Sequence, residues 1–346
     1  MNPYASTIIT TSLIMGPLLT ISSNHWIMAW TGLEISTLAI IPLIAKQHHP
    51  RAIEAATKYF LTQATASTLI LFSTIINAWT LGQWNITQMS NNISCTILTA
   101  ALAIKLGLAP FHFWLPEVLQ GATTTTALIL TTWQKLAPLS LLMMTTQSMN
   151  TPLMLTLGLT SIIIGGWSGL NQTQLRKIMA FSSIAHLGWM ITIITLCPKL
   201  TLLTFYTYII MTSTMFLMIK LLETNKISVM MTSWTKLPTL NTMMMLTLMS
   251  LAGLPPMTGF MPKWLIIQEL TKQHMPIVAT TMALLSLLNL FFYLRISYYA
   301  TITLPPNSTN YLQQWRHKTN QKPYLAPMTT LSISLLPITP TLLTII

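Results

Sequence analysis

The chain has 346 residues, with 17 Lys and Arg against 5 acidic residues and a formal net charge of +12. Charged side chains make up 6% of it, hydrophobic ones 52%, and mean hydropathy is +0.60. A soluble domain carries about 25% charge, so a soluble globule is excluded, and disorder is excluded by the apolar surface available to bury. The remaining class is an all-α polytopic membrane protein. All five acids are glutamates (Glu34, Glu54, Glu117, Glu223, Glu269) and Asp is absent.

Apolar runs of about 20 residues predict eleven spans. They lie near 3–21, 24–45, 59–80, 94–121, 123–146, 152–170, 177–195, 200–222, 239–270, 274–300 and 324–344. Met1-Asn2-Pro3-Tyr4 runs straight into apolar sequence, without a basic n-region, a small-residue cleavage site or an Arg/Ser-rich transit segment. The first span is therefore expected to be retained. Four regions are expected: an N-terminal span over 1–22, a first repeat half over 23–150, a second, inverted half over 151–302, and a loop with the C-terminal span over 303–346.

Connections after even-numbered spans hold Lys46, Arg51, Lys58, Arg176, Lys177, Lys226, Lys236, Arg316, Lys318 and Lys322; those after odd-numbered spans hold Lys199 and Lys272. Only the turn after span 4 lacks a basic residue among the even ones. In a soluble protein such a basic balance would suggest nucleic acid. Here the bias reads as membrane orientation, with the N-terminus and even loops on the negative side and the C-terminus opposite. No nucleic-acid partner is expected, and no loop is long enough for a soluble domain.

Proline interrupts spans 4 and 9 with one pattern. Gly107-Leu108-Ala109-Pro110 precedes Pro116-Glu117, and Gly253-Leu254-Pro255-Pro256 precedes Pro262-Lys263. Both fit Gly-Leu-x-Pro-x5-Pro, and they lie five crossings apart, which predicts opposite orientations. An inverted repeat with two broken helices puts ion sites where the half-helices meet. The bland alternative is a pair of unrelated proline kinks whose freed carbonyls neighbouring helices satisfy.

Glu34 lies mid-span in span 2, Lys105 just before the first break, Lys135 centrally in span 5, and Lys263 at the second break. An ionisable group at the bilayer centre costs about 2.5–3.5 kcal/mol on insertion scales, so these four are the candidate proton carriers. Desolvation favours a neutral amine and a nearby carboxylate an ammonium. If Glu34 approaches Lys105, changing its charge switches Lys105 between holding and releasing a proton. Snorkelling or a static pair is the competing reading. His112, after the first break, and His186, mid-span in span 7, can relay protons through both ring nitrogens or simply pack. Glu117 reads equally as cap, loop pair or transport residue.

The remaining features read as structural. Glu54 and Lys58 form an i,i+4 surface pair, and Gly165-x-x-x-Gly169 permits close helix packing. His48–His49 reads as a solvated loop pair rather than a metal site, and the abundant Met and Thr as composition. Cys95 and Cys197 are far apart with no Cys/His cluster, so no iron–sulfur, zinc or haem group and no metal is expected. Sequons at Asn85, Asn92, Asn171 and Asn307 matter only in a secretory protein.

Three stretches resemble a known family. They are Glu54-Ala-Ala-Thr-Lys58-Tyr59-Phe60-Leu61, Leu108-Ala-Pro110-Phe111-His112-Phe113-Trp114-Leu115-Pro116-Glu117, and Arg176-Lys177-Ile178-Met179-Ala180-Phe181-Ser182-Ser183-Ile184-Ala185-His186-Leu187-Gly188. They are similar to the antiporter-like membrane subunits of respiratory complex I, a family shared with multisubunit cation/proton antiporters. The likeness extends over essentially the whole chain.

That resemblance implies a proton-translocating membrane-arm subunit of the mitochondrial inner membrane, synthesised inside the organelle with its even loops in the matrix and its C-terminus toward the intermembrane space. The family pattern of a glutamate, two lysines and a further lysine at the second break matches Glu34, Lys105, Lys135 and Lys263. It implies other membrane-arm subunits and lipids as partners. NADH, FMN, iron–sulfur clusters and ubiquinone would belong to the whole complex, with no cofactor on this chain. Bacterial relatives have three more N-terminal helices, so another subunit or lipid is expected over that face; the long lateral helix of one paralogue is also missing. The rival expectations are a structural subunit with silent lysines and a free-standing cation/proton antiporter.

Overall fold

The computed structural model describes residues 2–47, 49–235, 237–302 and 324–345. His48, Lys236, Asn307, Arg316, Lys318 and Lys322 lie outside the described residues. Among those described, regular structure is helical throughout, apart from isolated bridges pairing His25 with Asn85 and Gln174 with Lys226.

The first helices are α1 (Pro3–Ser22), α2 (Trp26–Ile44), α3 (Pro50–Leu81), α4 (Asn92–Leu106) and α5 (Trp114–Gly121). Then come α6 (Thr124–Thr131), α7 (Leu136–Met144), α8 (Thr151–Gly169), α9 (Leu175–Ile194), α10 (Pro198–Leu222) and α11 (Ile227–Thr232). The last are α12 (Pro238–Ala252), α13 (Phe260–Lys272), α14 (Pro276–Ile302), α15 (Leu325–Ser334) and α16 (Thr339–Ile345).

Helix starts follow local chemistry: the side chains of Asn2, His25, His49 and Asn91 each accept from the backbone N–H two residues on, at 3.1–3.2 Å. The abundant hydroxyls turn back on their own helices, as in Thr20 to the Pro17 carbonyl at 2.7 Å and Thr212 to that of Tyr208 at 2.8 Å. Most hydroxyls of a Thr-rich chain are thereby satisfied within hydrocarbon, with the buried Thr195 and Thr224 hydroxyls as exceptions among the described residues.

Among the described residues, eight helical segments are long and apolar enough to cross a membrane, or nine if α15 and α16, bent by 67°, count as one. The expected eleven included spans 4 and 9. Each is broken, as expected, into two short helices, α4 with α5 and α12 with α13. At 1.5 Å per residue, the 15 residues of α4 reach about 22 Å, short of a hydrocarbon core of about 30 Å.

The chain forms two compact units, Met1–Ser161 and Ile162–Ile346. In the first, α1 and α2 cross where glycines meet. A Cβ on Gly16 would lie 2.7 Å from Ser36 Cβ and 2.8 Å from the Gly32 carbonyl. In the second, both glycines of Gly165-x-x-x-Gly169 mark close approaches, but to different helices: Gly165 meets Ala185 of α9, and Gly169 meets Phe292 of α14. Arg295 of α14 donates to the carbonyls of Leu170 and Gln172 just beyond the end of α8.

Candidate functional site

In the first unit the break follows from Gly107. Its φ of +75° is open to glycine and strained for other residues. The N–H groups of Gly107 and Leu108 both return to the Ala103 carbonyl, at 2.9 and 3.0 Å, closing α4 as a Schellman cap. Across the break Trp114 Nε1 donates to the Ile104 carbonyl at 3.0 Å. The irregular backbone is thus satisfied by protein, as hydrocarbon requires.

Lys105 occupies the last turn of α4 with its side chain buried, and its amine has no hydrogen-bond partner among the described residues. The Glu34 carboxylate, half-buried at the centre of α2, lies within electrostatic reach of it. One turn on from Glu34, Thr37 Oγ1 donates to the Glu34 carbonyl at 3.0 Å and sits 3.3 Å from its Oε2.

Lys135 lies at the middle of the span Thr124–Met144, at an irregular turn. It ends a 3-10 turn, Trp133–Lys135, that separates α6 from α7. Pro138 contributes to this third break, because its missing N–H leaves the Gln134 carbonyl without the usual helical donor. Lys105 and Lys135 both line one cavity of about 20 Å³, together with Thr37, Tyr59, Gln63 and Gln134. A polar site that size holds about one water.

His112 is buried after the break, its ring 4.3 Å from that of Phe113, and does not line this cavity. Glu117 resolves toward pairing. Lys58 Nζ lies 2.5 Å from both Glu54 Oε1 and Glu117 Oε2, so the expected i,i+4 pair is a three-charge cluster. Side chains 41–60% exposed make it a weak one.

The second unit repeats the break. Gly253 has φ +82°, and its N–H and that of Leu254 reach the Met249 carbonyl at 3.2 and 3.4 Å. Lys263, in the first turn of α13, donates from Nζ to the Ala252 carbonyl at 2.7 Å, and lies 6.0 Å from the Trp189 ring centroid. His186, three residues before Trp189 on α9, shares its face. Its ring is 5.6 Å from that of Tyr208, whose hydroxyl bonds Ser183.

The structure therefore brings Lys105 and Lys135 to one cavity, with Glu34 within electrostatic reach of Lys105, and in the other unit places Lys263 near Trp189, which is one turn along α9 from His186. Sequence reasoning missed Tyr59, Gln63, Trp133 and Gln134. Tyr59 and Gln63 are four apart on α3 and so share one face of it, a signal that could have found them. Lys220 and Arg295 also lie within spans and were passed over; Lys220 is exposed in the last turn of α10.

Residues 23–289 match the family model described as NADH:quinone oxidoreductase/Mrp antiporter, TM, and residues 290–343 match that of the NADH dehydrogenase subunit 2 C-terminus. NADH-ubiquinone oxidoreductase chain 2 of Coturnix japonica is 64% identical over 346 residues, all of both chains. That of Pelomedusa subrufa is 62% identical over 342 residues, 99% of each. A subunit of Thermus thermophilus respiratory complex I superposes with TM-score 0.84 at 22% identity, over 100% of this chain and 78% of that one. One from the Mrp complex of Dietzia sp. gives 0.81 at 17%, over 99% and 76%. At those identities the solved structures establish the antiporter-like fold. With full-length curated relatives above 60% identity, the chain belongs to the NADH:quinone oxidoreductase/Mrp antiporter transmembrane family and, within it, groups with chain 2 of NADH-ubiquinone oxidoreductase.

Proposed function

We propose that this chain is a proton-translocating membrane subunit of respiratory complex I, in which a charge relay through Glu34, Lys105 and Lys135 couples NADH-to-ubiquinone electron transfer to H⁺ movement. It carries no redox centre of its own in this reading; nucleotide, flavin, clusters and quinone belong to the assembly. The observation that carries the relay is the single cavity lined by both Lys105 and Lys135 beside the Glu34 segment of α2. Two amines at one water-sized polar space can exchange a proton through that water, and a carboxylate nearby sets which amine holds it.

His186 and Lys263 extend the relay in the second unit, and His112 serves the first break. The chain is multi-pass in the mitochondrial inner membrane, with its N-terminus and even loops in the matrix and its C-terminus toward the intermembrane space. Other membrane-arm subunits and lipid cover its apolar exterior. Redox work at a distant quinone site reaches the relay as a change in the charge state of Glu34 and Lys105.

Lys105→Met is expected to abolish coupled pumping while the complex still assembles. Reconstituted complex with an unchanged proton-to-electron ratio in that variant would defeat the relay. Cation/proton exchange by the isolated chain in liposomes would favour the free-standing antiporter. Intact pumping after neutralising Lys135 and Lys263 together would favour silent lysines.

A further inference from the structure

The 3-10 turn that ends in Lys135 is tied to two other helices by consecutive side chains. Trp133 Nε1 donates to the Leu13 carbonyl of α1 at 2.7 Å, and Gln134 Nε2 to the Ser36 carbonyl of α2 at 3.2 Å. The first acceptor has a particular origin. Leu13 is four residues before Pro17, which lies inside α1 and has no N–H to give it. Pro17 therefore leaves a main-chain carbonyl free inside the membrane, and the indole N–H supplies its partner.

Both acceptors are in reach because α1 and α2 cross at Gly16 and Gly32, with Ser36 itself against Gly16. Ser36, Gln134 and Lys135 all line the cavity shared with Lys105, and Ser36 belongs to the same turn of α2 as Thr37 and Glu34. A 3-10 turn has poorer hydrogen-bond geometry than an α-helix and is held less firmly by its own backbone. Without outside ties the turn, which Pro138 already bars from regular helical hydrogen bonding, would be free to shift and carry the Lys135 side chain away from its place relative to Lys105.

We infer that Trp133 is a positioning residue for proton transfer, holding the Lys135 turn open against the Leu13 carbonyl that Pro17 leaves free, with Gln134 as the second tie to the Glu34 segment. This rests on the proposed role of Lys135 in the relay. A structural role alone, that of filling an orphan carbonyl, would be replaceable by any other donor. The positioning role is not, because it requires the donor to come from the Lys135 turn.

The test uses complex I carrying Trp133→Phe, which keeps a smaller aromatic ring and removes the N–H, alongside Pro17→Ala/Trp133→Phe, in which residue 17 can donate to Leu13 within α1. Lys135→Met is the reference. Assembly, thermal stability and proton-to-electron ratio are measured in proteoliposomes. The expected result is that the double variant assembles with stability near that of the parent while its pumping falls toward the Lys135→Met value. Trp133→Phe alone should lose pumping similarly and also lose stability; should it fail to assemble, the double variant still decides.

Pumping restored together with stability in the double variant would overturn the inference, since filling the carbonyl would then be all Trp133 does. Full pumping in Trp133→Phe with Lys135→Met inactive would overturn it as well. Full pumping in Lys135→Met would instead remove the reading of Lys135, and this inference with it.

Discussion

Gly253→Ala separates the role of the second helix break from that of the lysine beside it. Gly253 sits at φ +82°, where an L-residue pays about 1–2 kcal/mol. Its added Cβ would also fall 3.0 Å from Lys263 Nζ and 3.1 Å from Lys263 Cδ, so the side chain must shift by a few tenths of an ångström from the position in which it donates to the Ala252 carbonyl at 2.7 Å. Weakening one such intramembrane hydrogen bond adds at most roughly 0.6–2 kcal/mol. Gly107→Ala is the control. It carries the same backbone strain at φ +75°, but its Cβ meets Leu115 Cδ1 at 3.0 Å and no charged group. Both variants should lower the thermal stability of purified complex, and Gly253→Ala by more. Only Gly253→Ala should also reduce the proton-to-electron ratio of reconstituted complex markedly. Equal pumping losses in the two variants would refute the reasoning, because strain alone would then explain the effect. Full pumping in Gly253→Ala would refute it from the other side.

The α1–α2 crossing should be intolerant of bulk. Gly16→Leu places a Cβ 2.7 Å from Ser36 Cβ and 2.8 Å from the Gly32 carbonyl, and overpacking costs typically 1–3 kcal/mol; reduced incorporation of the chain into complex I, followed by native gel, is expected. The Glu54–Lys58–Glu117 cluster should be nearly silent, since its members are 41–60% exposed. Lys58→Met should leave complex stability and pumping at parental values in 0.15 M salt, and any difference should appear only at low salt.

The sequence carried the spans, the two glycine–proline breaks and the four charges within spans, because each is a local signal: apolar run length, a residue type confined to special backbone, or an ion where ions are costly. Among the described residues, eight or nine of the eleven expected spans are long apolar helices, and spans 4 and 9 divide their length between half-helices such as α4 and α5. The third break was hidden because the turn at Lys135 contains no glycine, and a proline three residues later is also compatible with a mild kink. Least legible was the tie between Trp133 and Leu13. Its partners are 120 residues apart, and neither helical periodicity nor a motif marks an indole as the donor for one carbonyl. Proline at 17 announced a free acceptor, but only the packing of α1 on α2 and α7 reveals what fills it.

The two breaks share a backbone but not a charge plan. In the first, Lys105 arises from the helix that ends at Gly107, and its amine is buried without a hydrogen bond among the described residues. In the second, Lys263 arises from the helix after the break and reaches back to the Ala252 carbonyl. The tenth residue after each glycine is Glu117 in one and Lys263 in the other, and Glu117 pairs with Lys58 at a half-exposed surface. What the repeat duplicates is therefore a helix C-terminus within the chain, whose free carbonyls favour a cation by about 0.3–1 kcal/mol, and up to about 2 kcal/mol when partly buried. That preference is independent of which side of the break supplies the amine, and it disfavours a carboxylate at the same place. The carboxylate of the relay, Glu34, accordingly sits in the middle of the continuous helix α2, where no helix terminus opposes it. It can then act on Lys105 through space.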